Sequence, residues 1–147
     1  MGLFDSINIS ASGLTAERLR MDIISQNIAN ANTTRTSNGL PYRRKMVIFK
    51  EADIEKPFSS YLSIAQGNVI KSGVKVSGII EDKSEFKLVY SPGHPDADEN
   101  GYVKMPNVDI MVEMVNMISA TRAYEANVTS INSTKSMVMK ALEIGRI

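Results

Sequence analysis

Hydrophobic positions recur with a helical period at both ends of the chain and with a strand period in its middle. Leu3, Ile7, Ala11, Leu14, Met21, Ile24, Ile28 and Ala31 fall mostly at steps of three, four or seven, on one face of a helix over 3–31. Asp5 and Ser6 offer capping oxygens at its start. The run Asn30-Ala-Asn-Thr-Thr34 closes it, because short polar side chains compete for backbone hydrogen bonds. The pattern is stronger over 107–143. Asn107 reads as the N-cap, and Asp109 and Glu113 place acid at the positive end of the helix dipole. Ile110, Met114, Met117, Thr121, Tyr124, Val128, Ile131, Lys135, Val138 and Leu142 then alternate at steps of four and three, a heptad seam with polar breaks at Thr121 and Lys135. Gly145 supplies the stop. Such a helix is about 54 Å long at about 1.5 Å per residue. A domain of this size cannot cover it end to end, so the seam calls for partners.

Residues 35–106 follow a different rule. Arg35-Thr-Ser-Asn-Gly39 and Pro41 signal loop and turn. Short β-rich pieces follow at 45–49, 74–80 and 86–90, with Val74, Val76 and Ile80 alternating around polar residues or Gly. Gly67, Gly73 and Gly78 keep each piece short, and a turn-rich stretch runs from Ser91 to Pro106. The expected class is therefore α+β. Long N- and C-terminal helices pair as a coiled-coil-like domain, 1–34 with 107–147, around a β-rich segment, 35–106, whose extended loop occupies 91–106.

Composition narrows the chemistry. Nine Met, no Trp and an aromatic share of 6% point to helix-on-helix packing rather than an aromatic core. A net charge of +1, from 17 basic and 16 acidic side chains, gives no pull on nucleic acid or an anionic membrane. The absence of Cys removes disulfides, thiolate metal sites and cysteine nucleophiles. The N-terminus has no basic region followed by an apolar run and cleavage site, and no stretch reaches the ~18 apolar residues of a membrane span. Met1-Gly2 with Ser6 fits the loose myristoylation pattern but reads as an ordinary start.

The candidate reactive motifs resolve to structural readings. Asp96-Ala-Asp-Glu-Asn-Gly101 matches the first half of a calcium loop, yet the position that needs a bidentate Glu is Asn107. His94 is the only histidine and has no second ligand or triad partner near it in sequence. Arg43-Arg44-Lys45 is too compact for a nucleic-acid patch and suits a solvated edge or a partner's carboxylates. No catalytic residue, cofactor site or metal site is assigned.

Both helical flanks are rich in Asn, with Asn27, Asn30 and Asn32 at one end and Asn116, Asn127 and Asn132 at the other. Helix propensity does not explain this; amides that bond across to further helices are the favoured reading, with a solvated polar face as the alternative. At this point a family resemblance is visible. Ser12-Gly-Leu-Thr-Ala16 and Asn27-Ile-Ala-Asn-Ala-Asn-Thr-Thr34 resemble the N-terminal signature of the axial proteins of the bacterial flagellum. Gly39-Leu-Pro-Tyr-Arg-Arg-Lys45, Ser91-Pro-Gly-His-Pro95, Gly101-Tyr-Val-Lys-Met-Pro106, Val108-Asp-Ile-Met-Val-Glu-Met-Val-Asn-Met-Ile118 and Arg122-Ala-Tyr-Glu-Ala-Asn127 are similar to the basal-body rod family, in particular its proximal-rod members.

The resemblance implies a non-enzymatic structural subunit that polymerises helically to link the membrane ring and export gate to the distal rod. Its partners are then copies of itself and other rod proteins, with the ring or gate proteins as further candidates. Its location is the basal body within the periplasm, reached through the flagellar type III apparatus without a cleavable signal. The assembly interface expected from the seams comprises Ile7, Leu14, Met21 and Ile28 facing Ile110, Met117, Tyr124, Ile131 and Val138, within the subunit or across to neighbours. Asn30, Asn32 and Asn127 join it from the flanks. The alternatives are another rod or hook-junction subunit and, from a different class, a calcium-dependent binding module.

Overall fold

A computed structural model describes residues 3–52 and 72–145. Gly67 and the Met1-Gly2 start lie outside them. In chain order the elements are α1 (Leu3–Ala29), β1 (Lys45–Glu51), β2 (Val74–Glu81), β3 (Lys87–Tyr90), β4 (Tyr102–Met105) and α2 (Ile110–Ile144). Two long helices enclose short strands in the sequence, and the class is α+β.

The helix ends depart from expectation in an instructive way. α1 begins at Leu3, so Asp5 sits in its first turn rather than ahead of it. α2 begins three residues after Asn107, and Asp109 is its cap. The Asp109 Oδ1 accepts the amides of Met111 (3.0 Å) and Val112 (3.4 Å), and its carbonyl accepts the Glu113 amide (2.9 Å). Asn107 is occupied instead with the strands. Its Oδ1 accepts the Arg44 amide (2.8 Å), and its Nδ2 donates to Asp82 O (3.0 Å) and Ser84 Oγ (2.8 Å).

β1 and β2 form one two-stranded sheet and β3 and β4 another. In the first, Asp82 donates to Arg44 O and Ala52 to Gly73 O, both at 2.8 Å, so the strands run antiparallel. The second is an antiparallel hairpin in which Lys87 lies opposite Met105 and Tyr90 opposite Tyr102. β4 falls inside the stretch expected to be extended loop. Tyr102-Val-Lys-Met does alternate, with Val103 buried and Tyr102 and Lys104 exposed, but four residues are too few to stand out in the sequence.

The described chain forms two compact units, each drawn from separate stretches. The first comprises Met1–Arg18, Phe49–Ser77 and Arg122–Ile147. In it Ser10 Oγ meets Ser130 Oγ at 3.4 Å, and Gly13 faces Asn127. As the α1 partner rises from 10 to 13 the α2 partner falls from 130 to 127, so the helices pair antiparallel there. Ser10, Ala16 and Thr134 are its buried side chains among the described residues. Ser12 Oγ accepts the Val74 amide (3.0 Å) and ties the start of β2 to α1.

The second unit comprises Leu19–Ile48 and Gly78–Thr121. Met21 Sδ meets Thr121 Oγ1 at 3.6 Å and Asn27 meets Glu113, again in antiparallel order. Ile23, Ile24, Val103 and Ala120 are buried, and Ala31, Tyr42 and Val108 pack as one apolar cluster. The hairpin connection closes through Ser91 N donating to Gly101 O (2.9 Å) and Gly101 N to Asp98 O (2.8 Å). Gly101 sits at φ +78°, and a Cβ there would lie 3.0 Å from Tyr90 Cε2 and 3.2 Å from Pro92 Cβ. Gly101→Ala is therefore expected to lower stability by about 1–2 kcal/mol, read as a fall in the urea midpoint at unchanged slope.

Candidate functional site

A buried carboxylate, that of Glu113 on α2, lies inside the second unit, with the residue 1% exposed. It is held from three directions. Arg44, just before β1, donates to Oε1 through Nη2 (2.7 Å) and Nε (2.9 Å). Asn116, one turn along α2, reaches the same oxygen at 3.3 Å. Asn27 on α1, also 1% exposed, donates through Nδ2 to Oε2 (2.8 Å). A carboxylate removed from water needs this degree of matching, since an unmatched one is strongly destabilising.

Asn27 is satisfied at every polar atom. Its Nδ2 also donates to Lys45 O (2.8 Å), while its Oδ1 accepts the Lys45 amide (2.9 Å) and the Tyr42 hydroxyl (3.0 Å). The amide thus pairs with residue 45 as a neighbouring strand would. Tyr42 is packed with Ala31 and Val108. Burial first, then the Glu81 and Glu113 carboxylates, push its phenol above the ordinary value of 10.0. Nearby, the Ser84 amide and then its hydroxyl hold the half-buried Asp82 carboxyl below its usual value, and Arg44 at 3.7 Å adds to this.

Arg43-Arg44-Lys45 therefore turns inward more than the sequence suggested. Arg43 lies over the Phe86 ring at 4.3 Å and donates to Asp82 O (3.2 Å), and Arg44 serves a carboxylate of its own chain. The hub was not legible in the sequence because its members lie on three separate segments. The one available signal was Glu113 among apolar neighbours, which helix-dipole reasoning had already explained.

Most of the expected interface residues share one level of exposure. Ile7, Leu14, Met21, Ile28, Met117, Tyr124, Ile131 and Val138 are half-buried, as are Asn30 and Asn127, whereas Asn32 and Ile110 are exposed. The innermost row of α2 runs three residues after Ile110, Met117, Tyr124 and Ile131: Glu113, Ala120, Asn127 and Thr134. Of these only Asn127 is not fully buried. The sequence had placed the second row four residues on, but Met114 and Leu142 there are exposed. Small and polar side chains win the inner row because they let the backbones approach. A Cβ on Gly13 would come within 3.1 Å of the Asn127 carboxamide.

Much of the amide and hydroxyl content bonds back to its own helix, as Asn30 does to Gln26 O, Asn127 to Ala123 O and Thr121 to Met117 O (all 2.9 Å). The outer face of α2 is the opposite case. Met111 (73%), Val115 (65%) and Ile118 (61%) stand exposed at helical spacing, with Val112 and Met114 beside them. Toward the other end Met137, Met139, Leu142 and Ile144 are exposed as well.

The acidic loop is committed to its own surroundings. Asp96 Oδ2 accepts the Thr34 hydroxyl (2.8 Å), and His94 Nδ1 accepts the Asp96 amide (3.1 Å). Among the described residues no group of three His, Asp or Glu is placed to hold a metal ion, and no helix is long and apolar enough to cross a membrane.

Helices matched inside by polar and small groups, and left apolar outside, define a packing subunit: a protein whose surface is completed by other chains. Its sequence relatives say which one. The profile of the family described as "Flagella basal body rod protein" matches residues 7–35, and that described as "Flagellar basal body rod FlgEFG protein C-terminal" matches 99–144. The chain is 54% identical to the flagellar basal-body rod protein FlgC of Bacillus subtilis, over 99% of this chain and 100% of that protein. It is 52% identical to FlgC of Borreliella burgdorferi over 98% of each chain. Identity to FlgC of Salmonella typhimurium is 42%, over 99% of this chain and all of the relative. The chain belongs to the flagellar basal-body rod protein FlgC family and is a structural subunit of the rod.

Two outcomes follow from the hub. Glu113→Ala should cost about 3 kcal/mol in chemical denaturation, because it leaves the buried Asn27 amide and the Arg44 guanidinium unmatched. Tyr42, with its raised pKa, favours the protonated phenol in the folded chain. Its stabilisation is fully present below pH 10.0 and is lost as pH climbs through the folded value. The stability difference between parent and Tyr42→Phe should hold constant below about pH 9 and shift against the parent above 10, in paired urea titrations.

Proposed function

We propose that this subunit is built into the proximal rod, packing helically against copies of itself and other rod proteins through the outer faces of its terminal helices. It acts by occupying space and carries out no catalysis. In this reading 1–34 with 107–147 form the axial core and 35–106 lies outside it. The half-buried rows through Ile7, Leu14, Met21 and Ile28 and through Met117, Tyr124, Ile131 and Val138 seal the core, joined by exposed Ile110. Asn30, Asn32 and Asn127 flank the contacts. The chain reaches the periplasm through the flagellar type III apparatus and joins the membrane ring and export gate to the distal rod.

The observation that carries this reading is the uncovered Met111, Val115 and Ile118 stripe on a helix whose inner row is already filled. Burying one such side chain contributes about 1.5–3 kcal/mol, so a neighbour that covers three of them gains substantially. The family match across both termini supports the same helices as the packing elements.

Val115→Asp separates assembly from folding. Because Val115 is exposed, the purified variant should keep its stability within about 0.5 kcal/mol. In a motile strain it should fail to enter basal bodies, seen as rods arrested short of the hook. Normal basal bodies containing the variant would remove α2's outer face from the interface.

A further inference from the structure

We propose that the Asn27–Glu113 pair, clamped by Arg44 and the backbone of Lys45, fixes the register in which α1 and α2 pair within the second unit. This is a positioning role, separate from holding the helices together. It does not rest on the rod assignment, since it concerns pairing inside one chain.

The apolar row cannot select a register by itself. Met21 and Ile28 on α1 and Ile110 and Met117 on α2 recur at the same seven-residue spacing, so a shift of one heptad, about 10 Å along the axis, exchanges one apolar side chain for another. Met and Ile accept such exchanges with little loss, because their contacts are not directional.

The polar pair is not interchangeable. In the observed register Asn27 meets Glu113 at 2.8 Å and every polar atom of the amide is matched. One heptad shift sets Asn27 against the Ala120 methyl and carries Glu113 past the end of α1 to the level of Thr34. The opposite shift takes Glu113 away from Arg44 to the level of Arg20 and leaves Asn27 ahead of α2, at the level of Pro106. In both, the buried amide loses its acceptor on α2 and the guanidinium loses a two-point contact. Directional groups with one full solution discriminate between registers, which is the best attested use of polar residues in helix seams.

The breaks in the apolar seam do not do this. Thr121 satisfies its hydroxyl on Met117 O (2.9 Å) in its own helix, and Lys135 is exposed. Register information therefore sits about two turns away from where the seam is interrupted, in residues the seam itself does not contain.

The chain holds no cysteine, so reporter thiols can be placed without background. In the full-length purified chain, Met21→Cys with Thr121→Cys reports the observed register. Met21→Cys with Met114→Cys reports the shifted one. Under mild oxidation the chain with an intact hub should close the first pair and leave the second below about one-tenth of its yield. Asn27→Leu with Glu113→Met should keep the helical circular-dichroism signal while the shifted pair rises to a yield comparable with the first. A folded double variant that still closes only the observed pair overturns the proposal. Equal closure of both pairs with the hub intact overturns it too. If the double variant loses its helical signal, Glu113→Gln is read instead. This substitution keeps the shape but places a donor against either the Asn27 amide or the Arg44 guanidinium. A several-fold rise in the shifted pair supports the role, and an unchanged ratio refutes it.

Discussion

A carboxylate withdrawn from water constrains everything near it, and Glu113 is that group in this chain. Its two oxygens call for a cation and a neutral donor in fixed directions, and each comes from a different segment. Arg44 arrives from the stretch before β1 and Asn27 from α1. Asn27 in turn pins the first residue of β1 through both of its backbone groups. Helix, strand entry and second helix are thereby fixed to one another by a handful of directional bonds rather than by a large apolar core. Few side chains in the unit are fully buried and they are small or medium in size, so loss of the polar match cannot be offset by packing elsewhere.

The same arrangement explains how a helix pair can be specific inside and adhesive outside. The inner row of α2 holds Glu, Ala, Asn and Thr, and its outer face holds Met, Val and Ile. That inverts the usual order, in which apolar groups face inward and polar groups face solvent. The inversion suits a rod subunit. In the proposed assembly neighbouring subunits would cover the outer face that water wets in the single chain. Met predominates there, and a flexible thioether side chain adapts to neighbours that are similar but not identical.

How much of this was legible depended on whether the signal was periodic or pairwise. Both helices, three strands and the α+β class could be read, because each is written in spacing along one segment. The fourth strand was not, since Tyr102–Met105 is too short for alternation to register before Lys87–Tyr90 is known to lie beside it. The cap of α2 was misplaced from Asp109 to Asn107 because both are good capping residues. Only the position of Arg44 and Asp82 shows that Asn107 is engaged elsewhere. The row through Ile110, Met117, Tyr124, Ile131 and Val138 was found by its hydrophobicity. The row at closest approach went unseen because Glu113, Ala120, Asn127 and Thr134 share no property that a hydrophobic pattern measures. The family was readable without any of this, since its motifs are strings of neighbouring residues.

A chain meant to polymerise must also avoid pairing too early or in the wrong place. If α1 and α2 met only through apolar rows, α1 of one copy could lie against α2 of another as readily as against its own. The polar hub tilts that choice, because Arg44 and Lys45 are supplied in cis, close in sequence to Asn27, and complete the match once Glu113 arrives. Gly13 against Asn127 adds a steric element in the other unit, since any side chain at that level of α1 would occupy the place of the carboxamide. Directional pairing inside the subunit leaves the non-directional outer faces free for neighbours. That division is what lets one helix serve both fold and filament.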